Sequence, residues 1–157
     1  MSDAIIRNAQ ERRQLALIAT WLKARGYREL STTAGIILQA IPPGFFAFHV
    51  NAPVKLGDGE KAINIAIDVV IMPKNTKSAE MPILIEAKSA GDFTNVNKRR
   101  KEEATKIRQL RYTYGDKITF ALFLCGYFDP GYLGYEAAEG IDWLWEHRID
   151  DLAEFGL

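Results

Sequence analysis

The stretch NIAIDVVIMPKNTKSAEMPILIEAKSAGDF, residues 64 to 93, contains two apolar, β-branched runs, and each carries charge where a buried strand would not. Asp68 interrupts the first run, and Glu86 and Lys88 interrupt the second. Side chains alternate across a strand, so Glu86 and Lys88 share one face while Ile83, Ile85 and Ala87 take the other. In the earlier run Asn64, Ala66 and Asp68 lie opposite Ile63, Ile65 and Ile67. Pairing of the two runs brings Asp68 and Glu86 together. Close carboxylates repel, and each is costly to bury without a partner. A divalent cation supplies that partner, and magnesium suits a site of a few carboxylate oxygens completed by water and phosphate oxygens. Lys88 then stands at the edge of the metal site, its ammonium available to orient or help deprotonate an attacking water, or to stabilise charge on a phosphate. A single acid near a strand end is more often solvated or ion-paired, and edge strands use lysine against aggregation. The combination of Asp68, a hairpin-length gap, Glu-x-Lys after an apolar ILI and a basic helix directly afterwards favours the catalytic alternative.

The surrounding sequence supplies the elements that would hold this pair. Residues 3 to 25 read as an amphipathic helix, with Leu15, Ile18 and Leu22 at helical spacing and Gly26 as a stop. Pro42 and Pro43 interrupt any helix before an aromatic strand that begins at Phe45. Gly57-Asp58-Gly59 makes a hairpin turn, with residues 62 to 71 as its second arm and MPILIEAKS as a third strand. From a cap at Asp92 or Thr94, residues 95 to 114 form a long helix whose apolar edge is Ala104, Ile107, Leu110 and Tyr114. Residues 118 to 128 are too uniformly apolar for a one-sided strand and read as a central strand, followed by a glycine-rich loop. DWLWEHRID reads as a further strand and RIDDLAEFGL as a terminal helix. The order is helix, three strands, helix, strand, an α/β arrangement with a mixed central sheet flanked by helices.

At 157 residues, 48% hydrophobic and 25% charged, the chain is expected to form a single domain over residues 1–157. No apolar run has the ~20 residues of a membrane helix, and MSDAIIRNAQERR lacks a secretory pattern, which implies a cytoplasmic protein without a membrane partner. Cys125, in FALFLCGYF, is expected to be a buried reduced thiol. His49 and His147 do not make a metal pair by spacing, and His49, in an aromatic run, reads as a satisfied core histidine. Trp143 and Trp145 alternate and are expected to pack. Net charge is zero, but residues 94 to 111 hold seven basic residues against two acidic, and residues 127 to 157 hold eight acidic against one basic. A neutral chain of this kind still presents a positive face.

Asp68, seventeen residues, then Glu86-Ala87-Lys88 resembles the signature of the PD-(D/E)xK nuclease superfamily, in its helix, three strands, helix, strand order. More specifically, PILIEAKSAGDFTNVNKRRKEEATKIRQLRYTYG and the later FALFLCGYFDPGYLGYEAAEGIDWLWEHRIDDL resemble the catalytic part of the XamI-type restriction endonucleases, over roughly the last two-thirds of the chain. The resemblance implies a restriction-endonuclease-like core. It implies a magnesium-dependent type II endodeoxyribonuclease acting on double-stranded DNA, in which Asp68 and Glu86 bind the metal and Lys88 assists the water. First-helix glutamates in related nucleases make Glu11 a further metal candidate, alongside its alternative as a solvated residue. Ile67 stands where the pattern has proline, and such enzymes are usually longer, so this is either a compact member or a catalytic portion. A two-fold target favours a homodimer, and a restriction enzyme implies a cognate methyltransferase at the genetic level. Two other functions share the core: a repair or recombination nuclease, and a catalytically silent DNA-binding module.

Lys98, Arg99, Arg100, Lys101, Lys106, Arg108 and Arg111 line a helix of ~30 Å, long enough to follow several phosphates. Gln109, near its polar edge, either touches the DNA backbone or supports the site. Asn95 and Asn97 lie in the approach to the groove. The ordinary alternative is a solvated face stitched by Glu102 or Glu103 with Lys106, and the basic excess favours phosphate contact. The acidic tail is either a dimer surface or a solvated face.

Overall fold

A computed structural model of the chain describes residues 3–31, 38–55, 57–75, 81–89 and 96–157, and within these no side chains at 3–7, 39 and 96–99. The elements are α1 (Asp3–Ala24), β1 (Arg28–Glu29), β2 (Phe45–Val54), β3 (Ile63–Ile71), β4 (Ile83–Ser89), α2 (Val96–Tyr114), β5 (Thr119–Cys125), α3 (Pro130–Ala138) and β6 (Asp142–Trp145). Among the described residues there are also two 3-10 segments, Leu38–Ala40 and Glu146–Phe155. Among the described residues six strands form one mixed sheet in chain order, β1 to β6. β2, β3 and β4 run antiparallel in sequence, whereas β4, β5 and β6 are parallel. The helix α2 makes the long crossover that a parallel β4–β5 pair requires.

Two apolar layers sandwich this sheet. Leu15, Ile18 and Leu22 of α1 pack with Val69, Ile71, Ile83, Ile85 and Phe123 on one face. Ile107 and Leu110 of α2 and Tyr132 of α3 pack with Val50, Leu84, Leu122 and Leu124 on the other. With apolar cover on both faces, β5 reads as the continuous apolar run FALFL, each of those residues buried. The helical spacing in α1 and the β-branched alternation in β3 and β4 have the same cause, since each must present one apolar row to the sheet interior.

The alternation breaks at one place. Phe46 and Phe48 face the α1 layer, and Val50, Ala52 and Val54 face the α2 layer; across from them Ile67 belongs to the α2 layer and Val69 to the α1 layer. Both strands therefore slip by one side chain between Phe48 and Val50 and between Val69 and Ile67, and the ladder skips the residues between, His49 and Asp68. His49 absorbs the slip with φ +53°, a left-handed conformation that side chains other than glycine rarely adopt. The β3–β4 ladder also ends here, at Val69 opposite Ile85.

Several expectations are corrected. The glycine-rich stretch after β5 is a helix, α3, because Asp129 caps it by accepting from the Gly131 N–H and Pro130 suits its first turn. The strand in DWLWEHRID stops at Trp145, and the terminal segment is 3-10, kinked at Arg148, rather than an α-helix. β1, too short to show a period, was not expected. Cys125 is half-buried, with Arg13 Nη2 3.2 Å from its Sγ. His49 is exposed rather than a core histidine. Trp143 and Trp145 pack against the α2 layer. The cap at Asp92 or Thr94, and Asn95, lie outside the described residues. No helix among the described residues is long and apolar enough to cross a membrane.

Candidate active site

Asp68 and Glu86 face each other one step past the last ladder pair, where the two strands part. In place of backbone bonds, the Ala87 N–H donates to Asp68 Oδ2 at 2.9 Å and the Asp68 N–H donates to Glu86 Oε2 at 3.3 Å. Each carboxylate thus caps the opposite strand, so neither side chain swings freely. Glu86 is 3% exposed, and Asp68 is half-buried. Burial first, then the hydrogen bond and charge of Asp68, push the Glu86 carboxyl up to about 7, against the pull of Lys106 and Lys88.

Lys106, half-buried on α2, places its ammonium on Glu86 Oε1 and also donates to the Ala66 carbonyl at 3.3 Å. The sequence ranked it with the phosphate contacts; its position one helical turn from Glu103 and over β4 brings it to the carboxylates instead. Lys88 shares the α2 side of β4 with Glu86, and its Nζ lies 3.7 Å from Glu103 Oε1.

On the other side of Asp68, Glu11 and His49 each offer a ligand atom, and the three atoms lie within 4.8 Å of one another. Glu11 therefore sits at the site and not on remote surface. His49 Nδ1 is 4.0 Å from Glu11 Oε1, brought there by the slip between β2 and β3. Behind Glu11, a cleft of about 420 Å3 is lined by Asn8, Glu11, Gln14, Lys88, Ser89 and Glu102.

Three residues here are not read as site neighbours from the sequence, which passes over Gln14 and takes Glu103 for a solvated face and His49 for the core. Gln14 is 1% exposed and donates from Nε2 to the Phe123 carbonyl at 3.0 Å and the Lys88 carbonyl at 3.3 Å, tying α1 to both β4 and β5. Glu103 is buried under α3, and His49 stands beside Glu11. The signal for two of them was present: Gln14 lies one turn before Ile18, and Glu103 one turn before Ile107, each a polar residue inside an apolar helical stripe. His49 gave no such signal, because its place depends on a slip in the pleat.

The basic face of α2 is only partly open. Arg100 lies over the Tyr135 ring at 3.8 Å, Arg108 pairs with Glu139 at 3.2 Å, and Arg111 donates to the Gly140 carbonyl at 3.2 Å. Lys101 is exposed, and Gln109 is half-buried beside Ile65 and Lys106. The side chains of Asn97, Lys98 and Arg99 lie outside the described residues.

A mixed sheet whose antiparallel hairpin passes into a parallel pair, with two acids where the ladder opens and a lysine two residues on, is a restriction-endonuclease-like fold. The chain belongs to the XamI restriction endonuclease family, whose profile matches residues 1–145. It is 59% identical over 156 residues to the type II restriction enzyme SalI of Streptomyces albus G, covering 99% of this chain and 49% of that protein. The chain thus spans about half the length of the curated relative it matches. A crystal structure of protein VC1899 from Vibrio cholerae is similar over 71% of this chain and 26% of that one, at 17% identity and a TM-score of 0.41.

Proposed function

We propose that the protein is a magnesium-dependent type II restriction endonuclease that hydrolyses phosphodiester bonds in double-stranded DNA. The observation that carries this is the reciprocal latch between Asp68 and Glu86, two carboxylates fixed face to face beside Lys88, in a chain of the XamI family. Buried and confronted by Asp68, Glu86 is held well above its ordinary range, a repulsion that a small cation would relieve. The donors fit magnesium, which takes oxygen ligands: Asp68 and Glu86 would hold it, with Glu11 in reach of Asp68. When bound, the ion supplies Lewis-acid polarisation of the phosphate and a lower pKa for the attacking water. His49, a nitrogen donor, is the less suited of the four and stands as a neighbour.

The chain's own groups do the rest. Lys88 places an ammonium next to the carboxylates, where it orients the attacking water or meets charge growing on the phosphate. Lys106 neutralises Glu86 in the absence of a cation. Lys98, Arg99, Arg100 and Lys101, at the start of α2, contact DNA phosphates and set register without reading sequence, with Gln109 beside them. The protein acts as one nuclease domain and a homodimer in the cytoplasm, next to a cognate methyltransferase encoded nearby.

The test is incubation of the purified protein with plasmid and magnesium, beside Glu86→Ala. Discrete double-strand fragments from the unsubstituted protein alone support the proposal. Identical patterns from both would end it, and cleavage confined to branched or single-stranded DNA would point to a repair nuclease.

A further inference from the structure

Lys88 is a useful ammonium only if something holds it in place beside a cation site that repels it. The partner is a buried assembly between α2 and α3. Glu103 of α2 is 3% exposed and presents Oε1 to Lys88 Nζ at 3.7 Å. The Tyr132 hydroxyl of α3 sits 2.9 Å from Glu103 Oε1 and 2.7 Å from Oε2, so it straddles the carboxylate and fixes its plane. One turn along α3, Glu136 is 1% exposed, and no donor group among the described residues reaches either of its carboxylate oxygens.

An isolated buried carboxylate at that position would be costly, and two of them against one ammonium costlier still. Burial, then the adjacent Glu103, push the Glu136 carboxyl well up, with Lys88 opposing and Glu139 adding. Two adjacent buried carboxyls repel when both are charged, so sharing one proton between them is favoured, and the pair then sets a single negative charge against the ammonium. Arg108 of α2 is engaged with Glu139. Nothing in packing alone demands an acid at 103, since Ala104, Ile107 and Leu110 already supply the apolar edge of α2.

We propose that Glu103, clamped by Tyr132, is a positioning residue for Lys88, fixing its ammonium at the edge of the Asp68–Glu86 pair. This rests on the nuclease reading of Lys88. A role in positioning separates rate from affinity, because the DNA is bound elsewhere and the loss falls on the reacting geometry.

The experiment compares the unsubstituted protein with Glu103→Gln and Tyr132→Phe, measuring steady-state cleavage of a duplex in magnesium, duplex affinity without divalent ion, and thermal midpoint. Glu103→Gln should lower kcat by about 10- to 100-fold, the range for losing the orienting partner of a site residue. KM and duplex affinity should stay within about twofold. Tyr132→Phe, which keeps the ring but frees the carboxylate, should lower kcat by a few-fold in the same pattern. If Glu103→Gln fails to fold, Tyr132→Phe carries the test. Wild-type kcat in whichever of the two folds would overturn the inference, as would a loss appearing wholly in KM. No cleavage by the unsubstituted protein would instead overturn the nuclease reading, and this inference with it.

Discussion

Asp68 and Glu86 exchange hydrogen bonds with each other's strand at the point where β3 and β4 stop pairing through their backbones. The carboxylates thus stand in for the missing ladder and are rigid before any ligand arrives. Rigidity of this kind is what places two like charges close together, and the fold bears the electrostatic cost.

That cost is measurable as a pH dependence of stability. The Glu86 carboxyl rises from 4.5 to about 7 on folding, so its contribution is fully present below pH 4.5 and is lost as pH rises through 7. Without divalent cations, stability should fall by about 3 kcal/mol between pH 4.5 and 7.5 from this group. Glu86→Gln, which cannot ionise, should flatten the profile in urea unfolding. An unchanged slope in that variant would place the titration elsewhere. Magnesium at pH 7.5 should raise the unfolding midpoint of the unsubstituted protein but not of Glu86→Gln.

Gln14 satisfies two carbonyls that α1 would otherwise cover, Lys88 O and Phe123 O. Gln14→Leu fills the same space without a donor. It should cost about 1–3 kcal/mol, seen as a lower urea midpoint at unchanged m-value. A midpoint within error of the unsubstituted protein would mean that these carbonyls find other donors.

His49 holds a left-handed backbone at φ +53° between strands. His49→Gly should relieve that strain and stabilise the protein by up to about 1 kcal/mol relative to His49→Ala, which loses the same imidazole and keeps the strain. Thermal unfolding of the two variants isolates the backbone contribution. Equal midpoints would show that the slip between β2 and β3 is not strained at this residue.

Lys101 is exposed on α2 and lines a hollow with Arg100, Arg108 and Tyr135. Lys101→Ala should weaken duplex binding about equally for all sequences and reduce the slope of log affinity against log salt by about 1. Fluorescence anisotropy across a salt series reads both. An unchanged slope would remove Lys101 from the phosphate contacts.

Local sequence was enough for α1, β2, β3, β4, α2 and β5, because each element needs an apolar row with its own period, and a row is written in neighbouring residues. It was enough, too, to pick out Asp68, Glu86 and Lys88, since a charge inside a β-branched run is visible without coordinates. It was not enough for α3, where Gly131 and Gly134 hid a helix that Asp129 caps and that Tyr132 packs onto the α2 side. Nor did it show where Lys106 and Glu103 point. In sequence they look like neighbours on a solvated helix, and their charges suit a pair with each other.

Only the packed molecule separates them, sending Lys106 to Glu86 and Glu103 to Lys88 and Tyr132. The slip at His49, which draws Glu11 and Asp68 to one place, is likewise a property of two strands folded together. Period and composition act over a few residues and survive in a string of letters. A choice between partners for a buried charge depends on which low-dielectric contacts are within reach, and that distance exists only after the sheet and both its layers have closed.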